Sequence, residues 1–229
     1  MAGSDGAPLW ASLFGEDPQE RKRSFAPWYR REEGLWKELS WAEVLCGELA
    51  VENRRYVSLD VETTGLYPQT DRIVEIALVR FSFDTEGAII EEERFSSLVN
   101  PECPIPEKAR SIHGIEDRDV ANAPLFRELA DTVLEYMKGR VVVGHNVRFD
   151  VDFVEAELAR AGRHAAVQEC ADSLGMAKLA YPGMRSYNLG MLAYSLEIPS
   201  NAQHRALGDA LTSMQLFASS ARILSGRCT

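Results

Sequence analysis

The four cysteines in 229 residues, Cys46, Cys103, Cys170 and Cys228, form no C-x-x-C pair and have no histidine at zinc spacing. That pattern argues against a thiolate-held zinc and for reduced thiols used mainly in packing. No stretch approaches the ~20 uninterrupted apolar residues of a membrane-spanning helix, so no membrane association is expected. The opening Met1-Ala2-Gly3-Ser4-Asp5-Gly6 lacks a basic region followed by an apolar one. A secretory leader is therefore not expected, and a cytoplasmic location is. Cations are scarce as well: 25 Lys and Arg stand against 35 Asp and Glu, for a formal net charge of −10. This counts against a broad, nonspecific grip on a polyanion, which needs clustered Lys and Arg. It still admits a small anionic substrate or a short nucleic-acid end, because bound dications make a carboxylate cluster locally cationic. No internal repeat or low-complexity tract is present.

A hydrophobic fraction of 45% and a charged fraction of 26% suit a soluble globular chain, long enough for one substantial domain with an extension. The stretch Tyr56-Val57-Ser58-Leu59-Asp60-Val61-Glu62-Thr63-Thr64-Gly65 is rich in strand formers and closes on a turn signal. Residues two apart on a strand share a face, so Asp60 and Glu62 lie side by side while Leu59 and Val61 face the other way. Two adjacent carboxylates repel unless a positive group lies between them. A hard divalent cation is an economical solution, and a solvated acidic strand face is the plain alternative.

Residues 1–50 differ in character and are expected to be an extension, partly disordered, with one amphipathic helix over 32–50 carrying Leu35, Leu39, Trp41, Val44, Leu45 and Leu49. Its basic and aromatic residues, Arg21-Lys22-Arg23, Trp28-Tyr29 and Arg30-Arg31, suit nucleic-acid contact or a solvated segment docking on the domain, and the latter is favoured. The main domain, 51–229, is expected to fold and act without this extension. Ile73–Val79 suits a central strand and 88–99 a third strand, with short connections that imply antiparallel pairing. A helix is expected from Pro124 to Met137, ended by Gly139, then a buried strand over 140–144 parallel to the first, a helix opening at His145-Asn146, and a last helix over 205–224. This order predicts a mixed α/β sheet covered by helices.

Two further acids stand out by position. Asp150, in His145-Asn146-Val147-Arg148-Phe149-Asp150, begins a helix leaving the strand next to Tyr56–Glu62, and also reads as an acid favoured at a helix N-terminus. Asp209 follows in His204-Arg205-Ala206-Leu207-Gly208-Asp209. Five residues on a helix turn ~500°, so His204 shares a site with Asp209 only if it sits on the loop before the helix. Taken alone, His204 reads more readily as a surface or capping histidine.

In order and spacing, Asp60-x-Glu62, His145-Asn146-x-x-Phe149-Asp150 and His204-Arg205-Ala206-Leu207-x-Asp209 resemble the three motifs of the DnaQ-like (DEDDh) 3′→5′ exonucleases. Thr63-Thr64-Gly65-Leu66, Ile112-His113-Gly114-Ile115 and Ser186-Tyr187-Asn188-Leu189 are similar to that family too, so the likeness spans about residues 54–224. It implies a ribonuclease H-like sheet of order 3-2-1-4-5 flanked by helices. It also implies two Mg²⁺ or Mn²⁺ ions held by Asp60, Glu62, Asp150 and Asp209, with His204 taking the proton from an attacking water. By the same likeness Thr63, Thr64, Gly65 and Leu66 would wall the terminal sugar and base, with His145, Asn146 and Phe149 at the substrate; Phe149 reads equally as core.

The implied reaction releases nucleoside 5′-monophosphates from single-stranded or frayed 3′ ends, on DNA in proofreading or repair, with a DNA polymerase as candidate partner. The alternatives are an RNA-trimming exoribonuclease and a non-catalytic, polymerase-associated binding module, against which the intact acids argue. Met214-Gln215-Leu216-Phe217 faintly resembles a sliding-clamp peptide but is better explained as core.

Overall fold

The computed structural model describes residues 26–46, 54–164, 167–199 and 204–226. In chain order the elements are β1 (Trp28–Glu32), β2 (Leu35–Leu39), α1 (Trp41–Cys46), β3 (Tyr56–Thr63), β4 (Ile73–Phe83) and β5 (Ile89–Leu98). Then come α2 (Glu107–His113), α3 (Asp117–Val120), α4 (Phe126–Met137), β6 (Val141–Gly144), α5 (Val147–Arg160) and β7 (Glu169–Asp172). The chain closes with α6 (Ser173–Ala180), α7 (Leu189–Ser195) and α8 (Ala206–Gly226). One sheet holds all seven strands in the order β2-β1-β7-β6-β3-β4-β5.

Within it, β5-β4-β3-β6-β7 is the expected 3-2-1-4-5 arrangement. β3, β4 and β5 pair antiparallel through short connections, while β6 lies parallel to β3 and β7 parallel to β6. Alternation along β4 divides the interior. Ile76 and Leu78 join Leu59 and Val61 against α4 and α5, while Ala77, Val79 and Phe81 join Tyr56 against α8. Small residues on α8, Ala206, Ala210 and Ala221, belong to that second layer and admit close approach. Ser58 Oγ donates to the Ala210 carbonyl at 2.7 Å, binding the central strand to that helix. Met214 and Phe217 are buried there and Leu216 against Ala177 and Leu192, so the apolar residues of the clamp-like tetrapeptide are core.

The expected helix over 32–50 is corrected. β1 and β2 form a hairpin closed by Glu33 and Gly34, both at positive φ (51° and 80°), the backbone a two-residue turn needs to match strand twist. A helix begins only at Trp41, where Ser40 and Glu43 cap each other's backbone N–H groups at 2.8 and 3.3 Å.

Nor is this part of the chain separate from the main fold. β1 extends the sheet on β7, and fully buried Trp28 packs against Trp41 and Phe217 with ring centroids 6.4 and 6.2 Å away. On the other face Trp36 lies under two guanidinium groups, Arg31 at 4.4 Å and Arg148 of α5 at 4.3 Å. Trp28-Tyr29 and Arg30-Arg31 thus belong to a strand of the sheet rather than to a solvated segment laid on the domain. The run 21–23, the anticipated disordered lead and the end of the expected helix lie outside the described residues. Cys170 is a free thiol in the core and Cys103 a free thiol on the surface. Among the described residues, no helix is long and apolar enough to cross a membrane.

Candidate active site

The central strand aims its acids at α8. Ser58, Asp60 and Glu62 alternate with Leu59 and Val61, and the serine's bond to Ala210 shows which way that face points. Asp209, one residue earlier on α8, meets the two strand acids. One carboxylate oxygen from each of Asp60, Glu62 and Asp209 lies within 4.8 Å of the others. The pairing of β3 with β4 shifts register between Glu62 and Thr63, so the strand turns away just past the acids.

Asp150 arrives from the opposite layer through a split in the sheet. β6 pairs with β3 only as far as Ser58 and ends at Gly144. A Cβ on Gly144 would lie 3.1 Å from the Leu59 carbonyl, so close packing there favours glycine. Beyond that point Asp150 Oδ1 accepts the Val61 N–H at 3.0 Å.

His204 sits, as expected, on the turn before α8. Its φ is +58°, and its N–H donates to Asp209 Oδ2 at 3.1 Å, so the acid fixes the turn that carries the histidine. Glu75 lies opposite Glu62 across the β3–β4 pairing and is buried. It accepts from Arg205 Nε at 3.2 and 3.0 Å, from Arg205 Nη2 at 2.7 Å and from the Ala206 N–H at 3.0 Å. Sequence reasoning read Glu75 as part of an apolar strand; the I-V-E-I-A-L-V run offered the signal, since a central-strand acid needs a partner.

Asp172 was also missed. At the end of β7 its Oδ1 accepts the N–H groups of Asn146 and Leu174 at 2.9 Å each, fixing Asn146 at φ +63° where α5 begins. Burial raises the Asp172 carboxyl to about 6.

His145 turns away from the carboxylates. Nε2 is 2.8 Å from the Tyr187 carbonyl and Nδ1 is 3.0 Å from Ser173 Oγ, so the neutral ring donates through Nε2 and accepts at Nδ1. Burial pushes its pKa down to about 4, in keeping with that neutral form. With both nitrogens engaged, the ring ties α6 to the 187 region. Phe149 packs at a tilt on Phe153, ring centroids 4.9 Å apart, and against the core, which favours its packing reading. His113 is buried, and its Nδ1 accepts the Ile115 N–H at 3.0 Å.

Thr63, Thr64, Gly65 and Leu66 follow the strand acids directly. Thr63 Oγ1 donates to the Gly65 carbonyl at 2.6 Å, and Thr64 pairs with Arg72 through N–H to carbonyl and N–H to Oγ1 bonds of 2.9 Å each. A Cβ on Gly65 would come within 2.4 Å of the Asp71 carboxylate. That carboxylate also accepts the Tyr67 N–H at 2.8 Å, and the Tyr67 ring is exposed beside the segment.

Electrostatically the site asks for cations. Burial, then the neighbouring Asp150, Asp209 and Glu62, drive the Asp60 carboxyl well above its ordinary range. Glu62 rises to about 8, first from burial and then from Asp209 and Glu75. Asp209 rises to about 6, mainly from burial. Asp150 is likewise raised by burial, against the lowering effect of its bond from Val61. Oxygen donors packed this closely fit hard dications, whose charge would let all of them ionise.

Residues 57–217 match the family model RNase_T, an exonuclease family. The chain is 37% identical over 168 residues to DNA polymerase III subunit epsilon of Treponema pallidum, covering 72% of this chain and 76% of that one. It is 34% identical to the 3′-5′ exonuclease DinG of Bacillus subtilis, with 73% of this chain covered and only 18% of DinG. Among solved structures, exonuclease X in complex with 5′ overhanging duplex DNA superposes with a TM-score of 0.53 at 28% identity, covering 73% of this chain and 90% of that one.

Proposed function

The chain belongs to the RNase_T exonuclease family, and we propose that it removes nucleoside 5′-monophosphates stepwise from unpaired DNA 3′ ends, using two Mg²⁺ or Mn²⁺ ions. The convergence of Asp60, Glu62 and Asp209 oxygens within 4.8 Å carries this reading. Those three would hold the ions, and Asp150 would support them from its place against Val61. Bound there, the two dications would supply an activated water and charge compensation for the leaving oxygen.

The remaining work falls to the chain's own groups. His204, on the rim turn anchored to Asp209, takes the proton from the attacking water. Backbone groups of Thr63–Leu66 meet the terminal sugar, on a segment that the close approach of the Asp71 carboxylate to Gly65 helps to shape. Unpaired ends suit such a wall, since single strands splay and stack without the cost of melting a duplex. DNA is favoured because the epsilon subunit and exonuclease X are named for work on it. By the same likeness a DNA polymerase is the candidate partner.

The test compares 5′-labelled single-stranded DNA and RNA of one sequence with Mg²⁺ or Mn²⁺. Expected are a labelled ladder shortened from the 3′ end, 5′-mononucleotides identified by chromatography, faster shortening of DNA, and none with Asp60→Ala. Faster release from RNA would move the reading to RNA trimming. Binding without release would move it to a non-catalytic module.

A further inference from the structure

Glu75 and Glu62 are cross-strand neighbours with different surroundings. Glu62 faces the carboxylate cluster, whereas the oxygens of Glu75 are committed to Arg205 and the Ala206 N–H, all within 3.2 Å. A buried acid on a central strand needs compensation of this kind. What it compensates with is the residue next to His204 and the first amide of the helix that carries Asp209.

Two facts give this contact a consequence beyond packing. His204 holds a left-handed backbone at φ +58°, a strained state for a non-glycine residue that persists only where its surroundings fix it. Its own N–H is tied to Asp209, and the next two residues are tied to Glu75. Second, the Arg205 side chain is half exposed; among the described residues its hydrogen bonds go to Glu75, and the guanidinium stands near Glu62 and Asp119 as well.

We propose that Glu75 is a positioning residue that fixes the turn presenting His204 and keeps the Arg205 guanidinium from swinging onto Glu62 and displacing cations. The inference rests on the metal reading above. It predicts a pattern that a plain structural ion pair does not: removing Glu75 harms metal binding, and then removing Arg205 repairs it.

The experiment uses the full chain and the variants Glu75→Gln, Arg205→Ala and the double variant. Mn²⁺ affinity is read by calorimetry, kcat and KM on a DNA oligonucleotide, and folding by thermal melting. Glu75→Gln is expected to weaken Mn²⁺ binding and lower kcat by about 10–100-fold each, the range usual for groups that orient metal ligands, with KM little changed. The double variant should return Mn²⁺ affinity to near wild type while kcat stays low, because the His204 turn is still unheld. If Glu75→Gln does not fold, Arg205→Ala carries the test. It should bind Mn²⁺ at least as well as wild type yet lose kcat, and full kcat would overturn the proposal.

Wild-type kcat and Mn²⁺ affinity in a folded Glu75→Gln, or a double variant binding as weakly as the single, would overturn this inference alone. A wild-type chain that binds no Mn²⁺ would overturn the metal reading and this inference with it.

Discussion

Asp150 Oδ1 accepts the Val61 N–H at 3.0 Å just beyond the last residue that β6 pairs with β3. A side chain thereby replaces a missing strand as the acceptor for a buried amide, and in doing so brings an acid from the α5 layer to the acids facing α8. Separating its two roles is straightforward. Asp150→Asn keeps an oxygen for Val61 and loses the charge, so turnover should vanish while stability holds. Asp150→Ala leaves the amide unpaired and should be about 1–3 kcal/mol less stable than the Asn variant. Denaturant titration of the two, with activity alongside, checks both halves; an active Asn variant would remove Asp150 from the ion-holding set.

The hairpin carries the second prediction. Trp28 is fully buried, donates from Nε1 to Glu169 at 2.8 Å and fills the space beside Phe217. Trp28→Ala should cost about 3–5 kcal/mol, as for other large core truncations. Deleting residues 1–46 should give a chain that melts far lower or aggregates, contrary to the sequence-based expectation of an independent 51–229 domain. Equal melting of the shortened and full chains would restore that expectation.

How much of this was legible depends on how local each signal is. The strands at 56–63 and 141–144 could be read because apolar runs and turn residues bound them in sequence. The hairpin could not, since Leu35 and Leu39 are four apart and share a face in a helix and in a strand alike. Its turn at Glu33 also places a non-glycine residue at positive φ, which gives no clear turn signal. In the site, Asp60, Glu62, Asp150 and Asp209 were legible from motif spacing. Glu75 was not, because the partner that explains it, Arg205, is 130 residues away. His145 shows the converse: its place in a motif was plain, but its inward hydrogen bonds depend on Ser173 and Tyr187.

The acid cluster predicts an unusual pH dependence. Burial raises Glu62 from 4.5 to about 8 and Asp209 from 3.8 to about 6 in the metal-free protein. Groups raised on folding favour the folded state below their ordinary pKa, and that stability is lost as pH climbs through the raised values. The metal-free protein should therefore melt lower at pH 8 than at pH 5. Mn²⁺ should add more stability at pH 8, where fewer protons compete with it, and its binding at pH 6.5 should release protons. Calorimetric melting with and without Mn²⁺, plus binding in two buffers of different ionisation enthalpy, measures this. A metal-free melting temperature that rises from pH 5 to 8 would remove the buried-acid account.

The last prediction concerns His204. It stands on the turn ahead of α8, outside the trio of carboxylates, and is held by its backbone N–H to Asp209. Because that hold is a backbone bond, His204→Ala leaves Asp209 its hydrogen bond and leaves the ion-holding acids in place. Mn²⁺ affinity and KM for DNA should then change little, while kcat falls on the order of 10²–10⁴-fold, the usual contribution of a positioned proton acceptor. The wild-type rate should drop toward acid pH, but a metal-bound water losing its own proton produces a similar fall, so that profile alone decides nothing. The comparison decides: if the imidazole is the proton acceptor, the acidic fall should be lost or displaced in the variant. A variant with near-full kcat and an unchanged acidic fall would give the proton transfer to another group, with His204 left to position the water or the scissile phosphate.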